Sequence, residues 1–371
     1  MQIGVVPAVG NGLVHMGRTG QLARLHAHLG AYAGACTYFS FAAASEDAPL
    51  WKSSLGRLVA PEVAPQSPLR YALTLPIRER AAFQACDVLR CTSLLGAIPA
   101  IVARAMYGIP FIFSHGADYI RIAQIHGRSK LHIRKWRALR AVAMRMASAV
   151  IVQNSSMAVQ LQGEYPDAAI RFIPNWVDTD LFQPGLKGYQ SLPGASPHVL
   201  YVGRLVAEKN LEVLALACRS VGATLICAGE GPLAARLRDL RAQVFGAVPW
   251  TSLSELHRTA EVFAMVSHTE GHCKALTEAM ASGMPCVVSK AVTEGMEPGR
   301  NCLQVDPTET SIALALEVLA ADPAFAAKLG AGARATAVQL WSKEQVLGQE
   351  LRLLQEAAAP RPILPLPEWP W

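Results

Sequence analysis

Two carboxylates eight residues apart, Glu270 and Glu278, lie within VFAMVSHTEGHCKALTEAMASGMPCVVS at 262–289. The order of residue types puts Glu270 in a loop at the end of an apolar run and Glu278 one to two turns into the helix that follows. Both acids can then face one crevice, and the backbone N–H groups of Gly271, His272, Cys273 and Lys274 point outward at a helix start, which suits an anion. One surface acid and one helix acid with no shared task is the plainer alternative. A second cluster is cationic. HVLYVGRLVAEKNL sets Arg204 just past a strand and Lys209 at the start of a helix expected near Glu208, so two cations and a helix dipole converge. That suits a diphosphate, because fixed cations stabilise the charge that grows on a leaving phosphate more than the ground state. Two solvated bases on a loop remain the alternative. His115 follows the apolar run FIFS, a strand-end place where a neutral imidazole donates to a sugar hydroxyl or bonds to backbone.

Elements must bring these groups together. VFAMVS and CVVS read as buried strands, and KALTEAMASG has helical spacing stopped by Gly283 and Pro285. Open parallel sheets bind ligands at the carboxyl ends of their strands. QIGVVP and the runs near 35–39, 87–91, 111–114, 149–153 and 171–173 alternate with helical segments, predicting a doubly wound α/β domain. The glycine-rich loop after the first strand leads to a helix with Leu22, Leu25 and Leu29 on one face, and such loops let backbone approach a phosphate or sugar. The predicted division is 1–183, a Gly/Pro/Ser-rich linker at 184–197, a second α/β domain at 198–342, a last helix at 343–358 and a proline-rich tail at 359–371. The turn Gly229-Glu230-Gly231-Pro232 serves either binding or structure.

Glu270, Gly271, Glu278, Ala279, Met280, Ala281, Gly283 and Pro285 together resemble the signature of family 4 glycosyltransferases. Gly203-Arg204-Leu205 with Glu208-Lys209-Asn210, the Gly229 turn, TEGMEPGRNCLQVDP at 293–307 and PNWVDTDLF at 174–182 fit the same pattern, most strongly over 201–307. The resemblance implies the GT-B fold, two Rossmann-like doubly wound domains facing a central cleft. It implies transfer of a sugar from a nucleotide diphosphate sugar to an acceptor hydroxyl, with retention of configuration and without an essential metal or other cofactor. By resemblance Glu270 orients the donor sugar, Glu278 holds the ribose, Arg204 and Lys209 hold the diphosphate, and His115 meets a sugar hydroxyl from the opposite domain. Val248 to Trp250 would border the nucleobase, Gly295 and Glu297 would lie near the donor, and the last helix would cross back to the first domain. Gly17-Arg18 is the nearest match to the acceptor-side glycine pair. The chain departs at His272-Cys273-Lys274, where many members have Phe-Gly-Leu, which bears on sugar specificity, and at Trp176 and Cys302, where glycine is usual.

A nucleotide-sugar epimerase of the same architecture and a non-catalytic nucleotide-sugar binding protein are the alternatives. An NAD enzyme is not expected, since GxGxxG is absent after the first strand. Asp178-Thr179-Asp180 resembles the cation-holding pair of another glycosyltransferase class, yet its flanks fit the linker motif.

With 371 residues, 51% of them hydrophobic, the chain can bury two cores. No apolar run reaches the roughly 18–20 residues of a membrane span, and MQIGVVPAVG does not read as a signal peptide, so a cytoplasmic protein is expected. Eight cysteines without a CxxC pair suggest reduced, buried thiols. Residues 1–188 carry 19 Lys and Arg against 10 Asp and Glu, while 189–371 carry 15 against 18. Between 119 and 163 stand eight bases and no acid. As a helix over 129–148, this stretch sets Lys130, Arg134, Arg137 and Arg140 along one side and Trp136, Leu139, Ala143 and Met146 along the other. A solvated helix face is one reading. The other is peripheral contact with an anionic membrane at its inner face, and a glycan or lipid-linked acceptor; nucleic acid is not expected.

Overall fold

A computed structural model of the protein describes residues 1–116, 119, 120, 123, 127–185 and 197–359. Most of the predicted linker and the tail beyond Ala359 lie outside the described residues, as do Ala117 and Asp118 of the His115 loop.

Strands Ile3–Val6, Cys36–Phe39, Gly56–Val59, Val88–Cys91, Phe111–Ser114, Ala149–Val152 and Ile170–Phe172 (β1–β7) form one parallel sheet in the order β3-β2-β1-β4-β5-β6-β7. His198–Val202, Thr224–Ala228, Gln243–Gly246, Val262–Met265, Cys286–Ser289 and Leu303–Val305 (β8–β13) form the second, in the order β10-β9-β8-β11-β12-β13. Both orders reverse beside the first strand of their half, between β1 and β4 and between β8 and β11, which is where a doubly wound sheet opens a ligand crevice. Helices cover both faces, so central strands such as IGVV, FIFS, VFAM and CVVS are buried throughout and read as unbroken apolar runs.

The edge strand β3 has no such signal. Its sequence GRLV is only partly buried, and its start depends on Gly56 at φ +121°, where a Cβ would come within 2.1 Å of the Cys36 carbonyl oxygen. The helix expected near Glu208 starts later. Ala207–Lys209 is a single 3₁₀ turn, Asn210 takes the left-handed conformation at φ 57°, and the α-helix is Leu211–Ser220. Lys209 therefore stands ahead of the helix rather than in its first turn.

The chain crosses between domains inside PNWVDTDLF, before the Gly/Pro-rich stretch. Phe182 is buried against the rings of Trp250 and His257 in the second domain. Arg334 Nη1 ties this segment down through the carbonyls of Thr179 (3.1 Å), Phe182 (2.7 Å) and Ala281 (2.7 Å). Val177 pairs with Ser342, so the outgoing and returning chains cross side by side. Helix Lys343–Ala358 then packs on the first domain at β4 and β5.

Candidate active site

A cleft of about 730 Å³ opens between the carboxyl ends of the two sheets. Glu270, Gly271, His272 and Lys274 line it from the second domain, and His115 and Gly116 from the first. Strands buried on both faces end here, and the loops after β11 and β5 carry these residues because polar groups leave the sheet where the apolar run stops.

On the second-domain wall, Glu270 Oε2 lies 2.5 Å from Lys209 Nζ and accepts from Ser267 Oγ at 3.1 Å. Loops that are 61 residues apart thus meet in one ion pair, and both partners are largely buried. Buried His272 accepts at Nδ1 from the Asn175 backbone N–H at 3.3 Å, which leaves the proton on Nε2. Nε2 has no hydrogen-bond partner among the described residues. Burial, with help from the Arg24 guanidinium, pushes this imidazole down to about 4, so at neutral pH it is an uncharged donor. Lys274 begins helix Lys274–Ala281 and its side chain is accessible within the cleft. Surrounding protein and then the Arg24 charge push its ammonium down to about 8. Cys273 turns away, half-buried, and burial raises its thiol to about 12, so it is no nucleophile. Arg204 is exposed on its loop and does not line the cleft.

The first-domain wall is built on helix Leu22–Gly30. Gln21, Arg24, Leu25 and His28, at helical spacing, line the cleft. His115 is buried, its N–H bonded to the Ile151 carbonyl at 2.8 Å. Below it a buried network joins β4 to the returning helix. Arg90 Nη2 donates to Glu350 Oε2 at 3.0 Å and to Ser114 Oγ at 2.8 Å, while Glu350 Oε1 accepts from Tyr32 (2.6 Å) and His28 Nε2 (2.9 Å). Trp176 Nε1 donates to His28 Nδ1 at 3.1 Å, which fixes the imidazole as the Nε2–H form. Burial alone would raise the Glu350 carboxyl, yet Arg90 and His28 hold it well below the usual carboxylate range.

Several expected residues stand elsewhere. Glu278 is buried, and its Oε1 accepts from Arg24 Nη1 at 2.6 Å and Trp250 Nε1 at 2.9 Å, so in this structure it is paired within the protein and does not line the cleft. Val248 does not line the cleft, because the turn at Gly20 packs on the Val248 and Pro249 backbone. Gly17 and Arg18 end the short helix Leu13–Arg18 outside the cleft. The N–H groups opening that helix are taken by Asp47, whose oxygens accept from Leu13 (2.9 Å) and Val14 (3.0 Å), so the glycine-rich loop is filled by the protein's own carboxylate. Gly12 is required there, since a Cβ would meet Asp47 Oδ2 at 2.7 Å.

The Gly229 turn is structural in the same sense: a Cβ on Gly229 would come within 1.9 Å of the Gly203 carbonyl oxygen, and so it sets the loop that carries Arg204. Gly295 packs under Trp341 and Glu297 pairs with Arg300 at the surface, away from the cleft. Asp178 accepts from Lys343 Nζ at 2.8 Å and from the N–H groups of Asp180 and Leu181, so it serves the crossover. On helix Lys130–Met146, Lys130, Arg134, Arg137 and Arg145 are exposed with Lys135. Arg140 turns inward instead, 2.6 Å from Glu164 and over the Tyr165 ring. Sequence reasoning passed over Arg24, His28, Arg90 and Glu350. The four-residue step from Arg24 to His28 on a leucine-bearing helix was the available signal.

Residues 26–181 match the family model described as Glycosyltransferase Family 4, and residues 196–322 match Glycosyl transferases group 1. The GDP-mannose-dependent alpha-mannosyltransferase of Corynebacterium glutamicum is 29% identical over 217 residues, covering 55% of this chain and 51% of that protein. The chain thus spans about half the length of that relative. Sucrose-phosphate synthase from Thermosynechococcus elongatus shares the fold with a TM-score of 0.74 at 19% identity, over 96% of this chain and 99% of that one. Anabaena Alr3699/HepE in complex with UDP and glucose does so with a TM-score of 0.75 at 16% identity, over 96% and 99%. Both halves match in sequence order and the two-sheet architecture is shared from end to end, so the chain belongs to the family 4 type of glycosyltransferases with the GT-B fold.

Proposed function

We propose that the cleft binds a nucleotide diphosphate sugar and transfers the sugar to a glycan or lipid-linked hydroxyl with retention of configuration, using no resident metal or cofactor. The observation that carries this is the convergence of Glu270, His272 and Lys274 with His115 across one interdomain cleft. Lys209 and Lys274, with Arg204 on the adjoining loop, supply positive charge for the leaving diphosphate. Glu270, fixed by Lys209 and Ser267, orients the sugar, and His115 meets one of its hydroxyls from the opposite domain. The two carboxylates among the described lining residues, Glu270 and Glu350, are both tied to cations, which disfavours a free carboxylate base. That favours the retaining route, in which the acceptor proton passes to the departing phosphate as the C1–oxygen bond to it breaks and the acceptor oxygen bonds to C1.

The mannosyltransferase relative makes GDP-mannose the first donor to test. Incubation of the protein with GDP-mannose, UDP-glucose or ADP-glucose, with and without glycan acceptors and in excess chelator, should release nucleoside diphosphate and give a product of unchanged anomeric configuration. Donor epimerised without acceptor would replace this reading with the epimerase. Nucleotide binding without release of diphosphate would replace it with the binding protein.

Contact with an anionic membrane is part of the same proposal. Helix Lys130–Met146 exposes five bases together with Leu131, which is 63% accessible. Helix Pro68–Arg78, packed on the same buried cluster, exposes Leu69, Leu73 and Ile77 along one stripe. Among the described residues no helix is long and apolar enough to cross a membrane.

A further inference from the structure

Arg24 reaches across the cleft from helix Leu22–Gly30 and is itself buried. Its Nη1 meets Glu278 Oε1 at 2.6 Å, its Nη2 donates to the Trp176 carbonyl, and its guanidinium lies 4.4 Å from the Trp176 ring centre and 5.8 Å from that of Trp250. The turn just before this helix is docked on the other domain, with Trp250 N–H donating to the Gly20 carbonyl at 3.1 Å. Arg24 lines the cleft and Glu278 does not, so the arginine stands between the carboxylate and the open volume.

The pair is not at rest. Burial holds the Arg24 guanidinium below and the Glu278 carboxyl above their ordinary values, in each case outweighing their attraction. Lys274 adds a second cation beside Arg24, so two positive groups act on the one Glu278 carboxylate. Splitting a buried pair is strongly unfavourable unless both halves find new partners. A nucleoside offers Glu278 its ribose hydroxyls but leaves Arg24 stranded, and pyrophosphate does the reverse. A nucleoside diphosphate offers both.

We propose that Arg24 determines specificity for nucleoside diphosphates over nucleosides, exchanging Glu278 for phosphate oxygens as ribose hydroxyls take the carboxylate. The inference rests on the cleft being a nucleotide-sugar site. Calorimetry with GDP, guanosine, UDP and uridine, on wild type, Arg24→Gln and Arg24→Lys, tests it, with thermal melts to show that each variant is folded. Wild type should favour the diphosphate by at least about 100-fold, and Arg24→Gln should shrink that ratio by about tenfold or more, the scale of one charge-assisted hydrogen bond. Arg24→Lys keeps the charge but cannot span Glu278 and the Trp176 carbonyl together, so its ratio should fall between. Should Arg24→Gln fail to fold, an unaltered ratio in Arg24→Lys overturns the proposal, as does an equal loss for diphosphate and nucleoside in either variant. If wild type binds none of the four and neither ADP nor adenosine, the donor-site reading falls and this proposal with it. Binding with an unaltered ratio overturns this proposal alone.

Discussion

Lys209 Nζ lies 2.5 Å from Glu270 Oε2, joining the loop after β8 to the loop after β11 beside the point where the strand order of the second sheet reverses. Glu270→Gln keeps the shape and removes the charge that Lys209 faces. Turnover should fall by roughly 100- to 1,000-fold, the scale of losing one preorganised electrostatic group, while affinity for the nucleoside diphosphate changes by less than about tenfold. Steady-state kinetics beside calorimetry check this, and equal losses in both would place Glu270 on the nucleotide instead of the sugar.

Replacing Arg204 and Lys209 together by Ala should remove detectable transfer and weaken diphosphate binding, because charge-assisted hydrogen bonds are lost. Arg204 is exposed whereas Lys209 is mostly buried, so the single Lys209→Ala change should account for most of the loss. Unchanged diphosphate affinity in the double variant would take both residues out of the site.

Lys274 is charged below a value pushed down to about 8 and neutral above it. If its charge serves the leaving phosphate, kcat/KM should fall as pH rises through about 8, since that parameter reports the free enzyme. Lys274→Arg stays charged and should move the limb to higher pH. A limb that stays in place in the variant belongs to another group.

Glu350 has a depressed folded-state value, so its contribution to stability is present above its unfolded value near 4.5 and is lost as pH falls through the folded one. Glu350→Gln strands Arg90 in the interior and should cost about 3–5 kcal/mol at pH 7. Denaturant unfolding at several pH values checks the sign: the gap between wild type and variant should narrow steadily below about pH 4.5.

Sedimentation with anionic vesicles tests the basic helix. Binding should weaken with salt and fall further when Arg134, Lys135 and Arg137 become Glu, at about 1 kcal/mol lost per base removed from an anionic surface. Arg140→Glu is a different experiment, because Arg140 is itself buried, paired with Glu164 and set against the Tyr165 ring, and its replacement should lower stability. No sedimentation at low salt would favour a soluble acceptor.

The sequence alone determined the two-domain α/β architecture, because strands buried on both faces must be apolar along their whole length and the helices between them must repeat at their own period. FIFS and CVVS became strands with the expected bounds, and Glu270 to Cys273 fell in a strand-end loop, with Lys274 opening the helix, for the same local reason. GRLV at β3 escaped, since a half-exposed edge strand needs neither an apolar run nor strict alternation. What only the tertiary structure decided is which charges meet. Arg24 and Glu278 are 254 residues apart, and Arg90 and Glu350 are 260 apart. Neither pair has a local signal, because a buried charge finds its partner through the packing of whole domains and not through spacing along one element. The same cause filled the glycine-rich loop with Asp47 and turned Arg140 inward. Residue type and period fix the elements; desolvation, which acts only once the domains have closed, chooses the partners of the charges.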